Sequence, residues 1–282
     1  LSPALDFSLI DPSHAPGLTT LEDSGYSVLK SVGIAPARLI LDHGPLGMPP
    51  CYAHGHADAL SILFQTGGQD VLADTGTFAY SGHPDWRRYF RGTSAHNTVV
   101  VDGLDQAVQE SGFQWSSPFN SRLVFRAEHA DGETVLVAMH DGYLQRTGVI
   151  HWRGLLYRHP GLWVIIDRLT GSGIHDLELN WHLGLTPIPD GNGYLLEGAE
   201  SRIRLTIEGG EVAVHRGKTA PILGWRSLSY GRKEPMDTLH TTYRGVLQHE
   251  FVTCLVIGPE DAQARHAALS SLRKVMYETQ AH

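Results

Sequence analysis

Residues 53–62 read AHGHADALSI and set His54, His56 and Asp58 at alternating positions ahead of a run of small and apolar residues. Two neutral imidazoles and one carboxylate form a common shell for a divalent cation, with zinc at about 2.0–2.2 Å from each ligand. An imidazole, with a reference pKa of about 6.5, also suits proton transfer near neutral pH. The bland alternative is the solvated face of an edge strand. Gly55 between the histidines permits a bend or a close backbone approach. Asp74 and His96 follow, each beside a strand-like run.

The carboxylate has two candidates. On one strand, residues i and i+2 share a face, so His56 and Asp58 with a distant histidine would make the two-histidine, one-carboxylate triad of a cupin-like non-haem iron oxygenase. Alternatively His56, Asp74 and His96 converge from three segments. Asp74-Thr75-Gly76-Thr77 also has the form of an aspartic protease motif, but that chemistry needs two such aspartates sharing a proton, and the chain carries one. Residues 86–91, WRRYFR, place Trp86, Arg87, Arg88, Tyr89 and Arg91 together. They form either a patch for an acidic polymer, with Trp86 stacking on a sugar ring, or a loop whose arginines pair with nearby acids. Asn97, beside His96, suits a turn or a supporting bond behind a ligand. His182, His240 and His249 are expected to be satisfied structural histidines.

The elements that must position these groups are mostly strands. Short runs rich in β-branched and aromatic residues, such as YSVLKSV, ARLILDHG, HNTVVVDG, TVLVAMH and DLELNWHLG, are punctuated by Gly, Pro, Asn and Asp. That spacing predicts an all-β fold, a large two-layer antiparallel sandwich with one or two short helices. GLWVIIDRLTG is nearly continuous in apolar residues, as expected of a strand covered on both faces. ADALSILFQTG is expected as a short helix, and EDAQARHAALSSLRKVMYETQ as a longer one with acids in its first turn. Residues 1–20, with three prolines, are expected as a tail or linker, and 21–282 as the domain.

Among 282 residues, 22 are basic and 30 acidic, a formal charge of -8. Nucleic acid is therefore not an expected partner, and no run of about 18 apolar residues suggests a membrane helix. Two cysteines, Cys51 and Cys254, exclude a disulfide scaffold. No signal peptide is visible at Leu1, and the chain is expected to be a processed product or part of a longer polypeptide.

HGHADALSI, DTGTFAYSG and WRRYFRGTSAHNTVVVDGLDQ, in that order, resemble the heparinase II/III family of polysaccharide lyases, specifically its C-terminal β-domain. The resemblance is strongest over residues 24–106 and continues weakly through LYRHPGLWVIIDRL and LNWHLG. It implies a β supersandwich that follows an N-terminal (α/α) toroid in full-length members, the active cleft lying between them. It also implies a zinc on His56, Asp74 and His96, acting chiefly as a structural brace, with Asp58 supporting an imidazole. His54 corresponds to a cleft histidine and Tyr80 to a cleft tyrosine, Tyr89 being the alternative. The implied substrate is an acidic, uronic-acid polysaccharide such as heparan sulfate, alginate or an exopolysaccharide. The implied reaction is β-elimination, and a periplasmic or secreted location follows by the same resemblance. The family's principal tyrosine and its carboxylate-neutralising Asn or His lie on the toroid, for which this sequence has no helical counterpart. A non-catalytic carbohydrate-binding or scaffolding module of the same fold is the second expectation.

Overall fold

Successive side chains of a strand face opposite sides, and the strand Leu162–Thr170 shows what that demands here. Trp163 and Ile165 enter the core between two sheets, while Val164 and Ile166 lie beneath the C-terminal helix. Both faces are covered, so the unbroken apolar run is accounted for. The computed structural model describes residues 16–130 and 132–281.

One sheet has nine strands, in the order Gly17–Leu21, Tyr26–Ser31, Ala37–Asp42, Ile62–Thr66, Gln69–Leu72, Ile174–Leu183, Asp237–Val246 and Glu211–Arg216, with Val99–Val101 also paired to Ile174–Leu183. The other has eight: Pro187–Asp190, Gly193–Glu197, Arg202–Glu208, His249–Ile257, Leu162–Thr170, Ile150–Arg158, Thr134–His140 and Ser121–Glu128. Neighbouring strands within both sheets run antiparallel, for example Arg153 opposite Asp167 and Trp181 opposite Leu239. Leu39, Phe64, Leu179 and Trp181 from the first sheet meet Leu136, Leu155, Trp163 and Phe251 from the second in the main core. The expected two-layer sandwich is the observed one.

The helix Ala262–Gln280 begins where its sequence signals it should, with Asp261 accepting from the Gln263 and Ala264 amides. Ala268, Leu272 and Met276 cover the outer face of the eight-stranded sheet. Gly154 makes that approach possible, since a Cβ there would stand 2.5 Å from Met276 Sδ.

Three local expectations change. ADALSILFQTG is not a helix: Ile62–Thr66 is a strand whose burial alternates with period two, so Ile62 and Phe64 reach the core. WRRYFR lies on the helix Pro84–Arg91 rather than on a loop, with Pro84 and Asp85 in its first turn, a start that favours helix. Of the tail expected over 1–20, residues 1–15 lie outside the described residues. Gly17–Leu21 is the sheet's edge strand, paired with Tyr26–Ser31, and Leu18 packs on the core. Among the described residues the α-helices are Pro84–Arg91, Leu144–Thr147 and Ala262–Gln280, and no helix is long and apolar enough to cross a membrane.

Candidate functional site

His54, His56 and Asp58 do not share a strand face. They sit on an irregular connection between the strands Ala37–Asp42 and Ile62–Thr66. Its backbone groups find partners elsewhere: the Ala57 amide donates to Arg91 O at 2.9 Å, and the Ala59 amide to Gln106 Oε1 at 2.8 Å. Gly55 has the close approach its position suggested, because a Cβ there would lie 1.9 Å from Leu46 O. Its carbonyl accepts from Trp115 Nε1 at 2.9 Å and from Arg91 Nε at 3.3 Å. Leu60 and Phe78, at φ of 63° and 66°, adopt a left-handed backbone that costs of order 1–3 kcal/mol for such residues and tends to collect at functional sites.

The loop brings His56 to His96, ring centroids 5.2 Å apart. Donor atoms of His56, Asp58 and His96 all lie within 4.8 Å of one another. Asp74 follows the strand Gln69–Leu72 and places Oδ2 3.4 Å from His96 Nδ1, its own side chain remaining 48% exposed. Its Oδ1 accepts from the Gly76 amide at 2.7 Å. Both carboxylates weighed from the sequence thus border His96: Asp58 as part of the tight trio, Asp74 at the edge.

Charge in this cluster is unbalanced. Burial lowers the pKa of His56, reinforced by positive charge at His96, Arg87 and Arg91 against the opposing Asp74, and holds it at about 3. Burial also opposes charge on His96, but contact with Asp74 and the charges of Asp58 and Asp42 prevail and raise it. Burial pushes Asp58 to about 6, against the pull of His96 and with the repulsion of Asp74. Partial burial raises Asp74, yet contact with His96, the charges of His96 and His56 and the Gly76 amide win, holding it at about 2. Both ring nitrogens of His96 are buried without a hydrogen-bond partner. With Nδ1 facing the Asp74 carboxylate and Nε2 unpartnered, the mixed imidazole–carboxylate set fits a divalent cation such as zinc.

Behind the cluster, Asn97 holds the segments together. Its Nδ2 donates to Ile62 O at 2.8 Å and Ala73 O at 3.0 Å, and its Oδ1 accepts from the His182 amide at 2.7 Å. The fully buried Arg153 donates through NH1 to Asn97 O at 2.6 Å and to Leu60 O. It is held by Asp167 through Nε at 2.6 Å and NH2 at 2.9 Å. His151 also contacts Asp167, at 2.7 Å. Nothing in the linear order of residues signals this ion pair, which exists only through strand register. His182 is the satisfied histidine expected, bonded to Thr238 and Ser94 O.

At the rim, His54 is exposed and stands edge-on to Tyr80 at 5.9 Å and to Phe113 at 6.4 Å. Tyr230 is 6.0 Å from Tyr80. Phe113 and Tyr230, which no sequence motif singles out, each occupy the turn of a short hairpin. The expected basic patch contracts because helical spacing sends residues i, i+3 and i+4 to one side. Arg87, Phe90 and Arg91 are buried and Arg88 is exposed. Arg91 bonds Gly55 O and Ser111 O and lies 4.6 Å over Trp115, so it holds the histidine loop instead of facing solvent. Tyr89 is buried against Phe90. Trp86 packs on Trp225, with Lys233 4.2 Å above its ring.

The family described as heparinase II/III-like, C-terminal, matches residues 14–269. An alginate lyase of Stenotrophomonas maltophilia (strain K279a) is 28% identical over 174 residues, covering 56% of this chain and 22% of that protein. Heparan sulfate lyase HepC from Pedobacter heparinus superposes with a TM-score of 0.68 at 17% identity, covering 87% of this chain and 37% of that one. A heparinase III structure gives 0.69 at 16% identity, covering 89% and 38%. At these identities the superpositions establish the shared fold. This chain spans less than two-fifths of either structure's length and under a quarter of the alginate lyase.

Proposed function

The chain belongs to the heparinase II/III-like C-terminal family, and from that premise we propose that it is the β-domain of a lyase that cleaves uronic-acid polysaccharide by β-elimination. The carrying observation is the pairing of exposed His54 with Tyr80 at 5.9 Å, on the loop that also bears His56 and Asp58. Alginate and heparan sulfate, named for the similar proteins, are both acidic polymers that contain uronic acid.

Elimination requires a base to take the C5 proton and an acid to protonate the departing 4-oxygen. His54 takes the proton and Tyr80 donates to the leaving oxygen. His56 and His96, with Asp58 and Asp74, would hold a zinc ion, which supplies a fixed positive charge that braces the three segments. Asn97 ties Ile62, Ala73 and His182 together behind the cluster. Arg88, exposed on the helix Pro84–Arg91, provides positive charge met by the polymer, with Trp86 beside it; Arg91 secures the loop. An upstream (α/α) toroid is the proposed partner that completes the cleft.

Incubation with alginate, heparan sulfate and bacterial exopolysaccharides, read by the absorbance of unsaturated uronate, tests this. His54→Ala and Tyr80→Phe should each remove product formation with the melting temperature kept. Undiminished product from His54→Ala would overturn the assignment. The second reading is a carbohydrate-binding or scaffolding module, favoured by the limited share of the relatives' length that the chain spans. Product from this chain alone would exclude it.

A further inference from the structure

Arg87 is turned inward on the helix Pro84–Arg91 and is 4% exposed. Its Nε donates to Gly112 O at 3.2 Å. Its guanidinium carbon lies 5.1 Å from the Tyr80 ring centre and 5.4 Å from that of Phe113. Both terminal nitrogens are buried without a hydrogen-bond partner, and among the described residues no ion pair includes Arg87. Arg153 is paired with Asp167 and Arg168 with Glu250. Arg91 also lacks an ion pair among the described residues, but it bonds two carbonyls and leaves one terminal nitrogen unpartnered, where Arg87 leaves both. A buried charge left without a counterion is strongly unfavourable, and ring faces compensate it only in part.

The group beside it is open. Phe113 is 45% and Tyr230 64% exposed, and both stand against Tyr80, with His54 edge-on to Tyr80 and Phe113. Phe113 sits on the two-residue turn between the strands Val108–Ser111 and Gln114–Ser116. A guanidinium presents two parallel N–H groups that match a carboxylate.

We propose that Arg87 is a receptor for the carboxylate of a uronate residue, which it binds through both terminal nitrogens when the Phe113 turn lifts, while Tyr80 and Tyr230 flank the sugar. The assignment rests on the reading of this rim as a uronate-polymer site and adds the group that offsets the substrate's charge beside His54.

Isotope-labelled full chain is titrated with sodium glucuronate and, separately, with glucose, following the Arg87 Nε–H and Gly112 amide resonances. Glucuronate should shift both saturably and glucose neither. Arg87→Lys should keep weakened binding, and Arg87→Gln should lose about tenfold or more in affinity, with the fold of each variant verified by its amide spectrum. An unmoved Arg87 resonance, or unchanged affinity in Arg87→Gln, overturns the receptor. If glucuronate binds at Arg87 but no polymer yields unsaturated product, the receptor stands and the lyase reading falls. If product forms with unchanged KM in Arg87→Gln, the lyase reading stands and the receptor falls.

Discussion

His96 buries both ring nitrogens without a hydrogen bond, Nδ1 meeting only the Asp74 carboxylate at 3.4 Å, a condition that folded chains rarely keep without a ligand. Zinc at a hundredfold excess over its Kd should raise the unfolding free energy by about 2.7 kcal/mol. His56→Ala should abolish that increment, read as the difference between urea melts with zinc and with EDTA. An equal increment in the variant would remove the metal from the account. At this scale the sequence was informative about identity and silent about distance. His56 and His96 do meet, and Gly55 does admit a neighbouring carbonyl, as the spacing suggested. The resemblance pointed to Asp74. That Asp58 would join His56 and His96 in the tight trio was not legible, because residues 54–58 form a bent connection instead of a strand, and side-chain direction there follows from bonds to Arg91 and Gln106.

Segments acquire their roles from the elements that carry them. WRRYFR is a basic run when read linearly, but one helical turn buries two of its three arginines and gives them unlike tasks. The Arg153–Asp167 pair shows the same limit. Arg153 and Asp167 are unremarkable in HWRGLL and VIIDRL, and only antiparallel register sets them opposite each other beneath Leu60 and Asn97. Asp167→Asn would leave Arg153 buried without its counter-charge and should cost about 3–5 kcal/mol. Joint replacement by apolar residues of similar volume should recover much of that stability but loosen the loops that Arg153 holds. Denaturant melts give the first effect, and amide exchange at residues 58–61 and 96–98 the second. A change below 1 kcal/mol in Asp167→Asn would show that the pair does not clamp these segments.

Across the molecule, buried histidines kept neutral make stability depend on pH. Burial, aided by positive charge at His96 and opposed by contact with Ser94 and the charge of Asp74, holds the pKa of His182 at about 3. His140 and His151 are also lowered by burial. The unfolded chain takes up protons near the reference value of about 6.5 while folded His182 does not, so its contribution is full above that pH and lost as pH falls. The loss is about 1.4 kcal/mol per pH unit for such a group. Asp58, raised to about 6, acts in the opposite sense, so the clean measurement is a difference. The destabilisation caused by His182→Gln should shrink by about 1.4 kcal/mol per unit between pH 6 and 4 in urea melts. A constant difference over that range would refute it. The architecture itself was the most legible feature, because alternation and continuous apolar runs report directly on which faces are covered. The edge strand Gly17–Leu21 was hidden behind a proline-rich start.

The strand Ile174–Leu183 backs the histidine cluster, His182 holding both Ala73 and Asn97 through its main chain. His182 and Asn97 are 85 positions apart. Vectorial synthesis therefore delivers the imidazoles and acids long before the wall that orients them. A nascent polypeptide, or one terminated early, presents them as loose side chains on an open ribbon, and only completion of that later strand turns them into a cage.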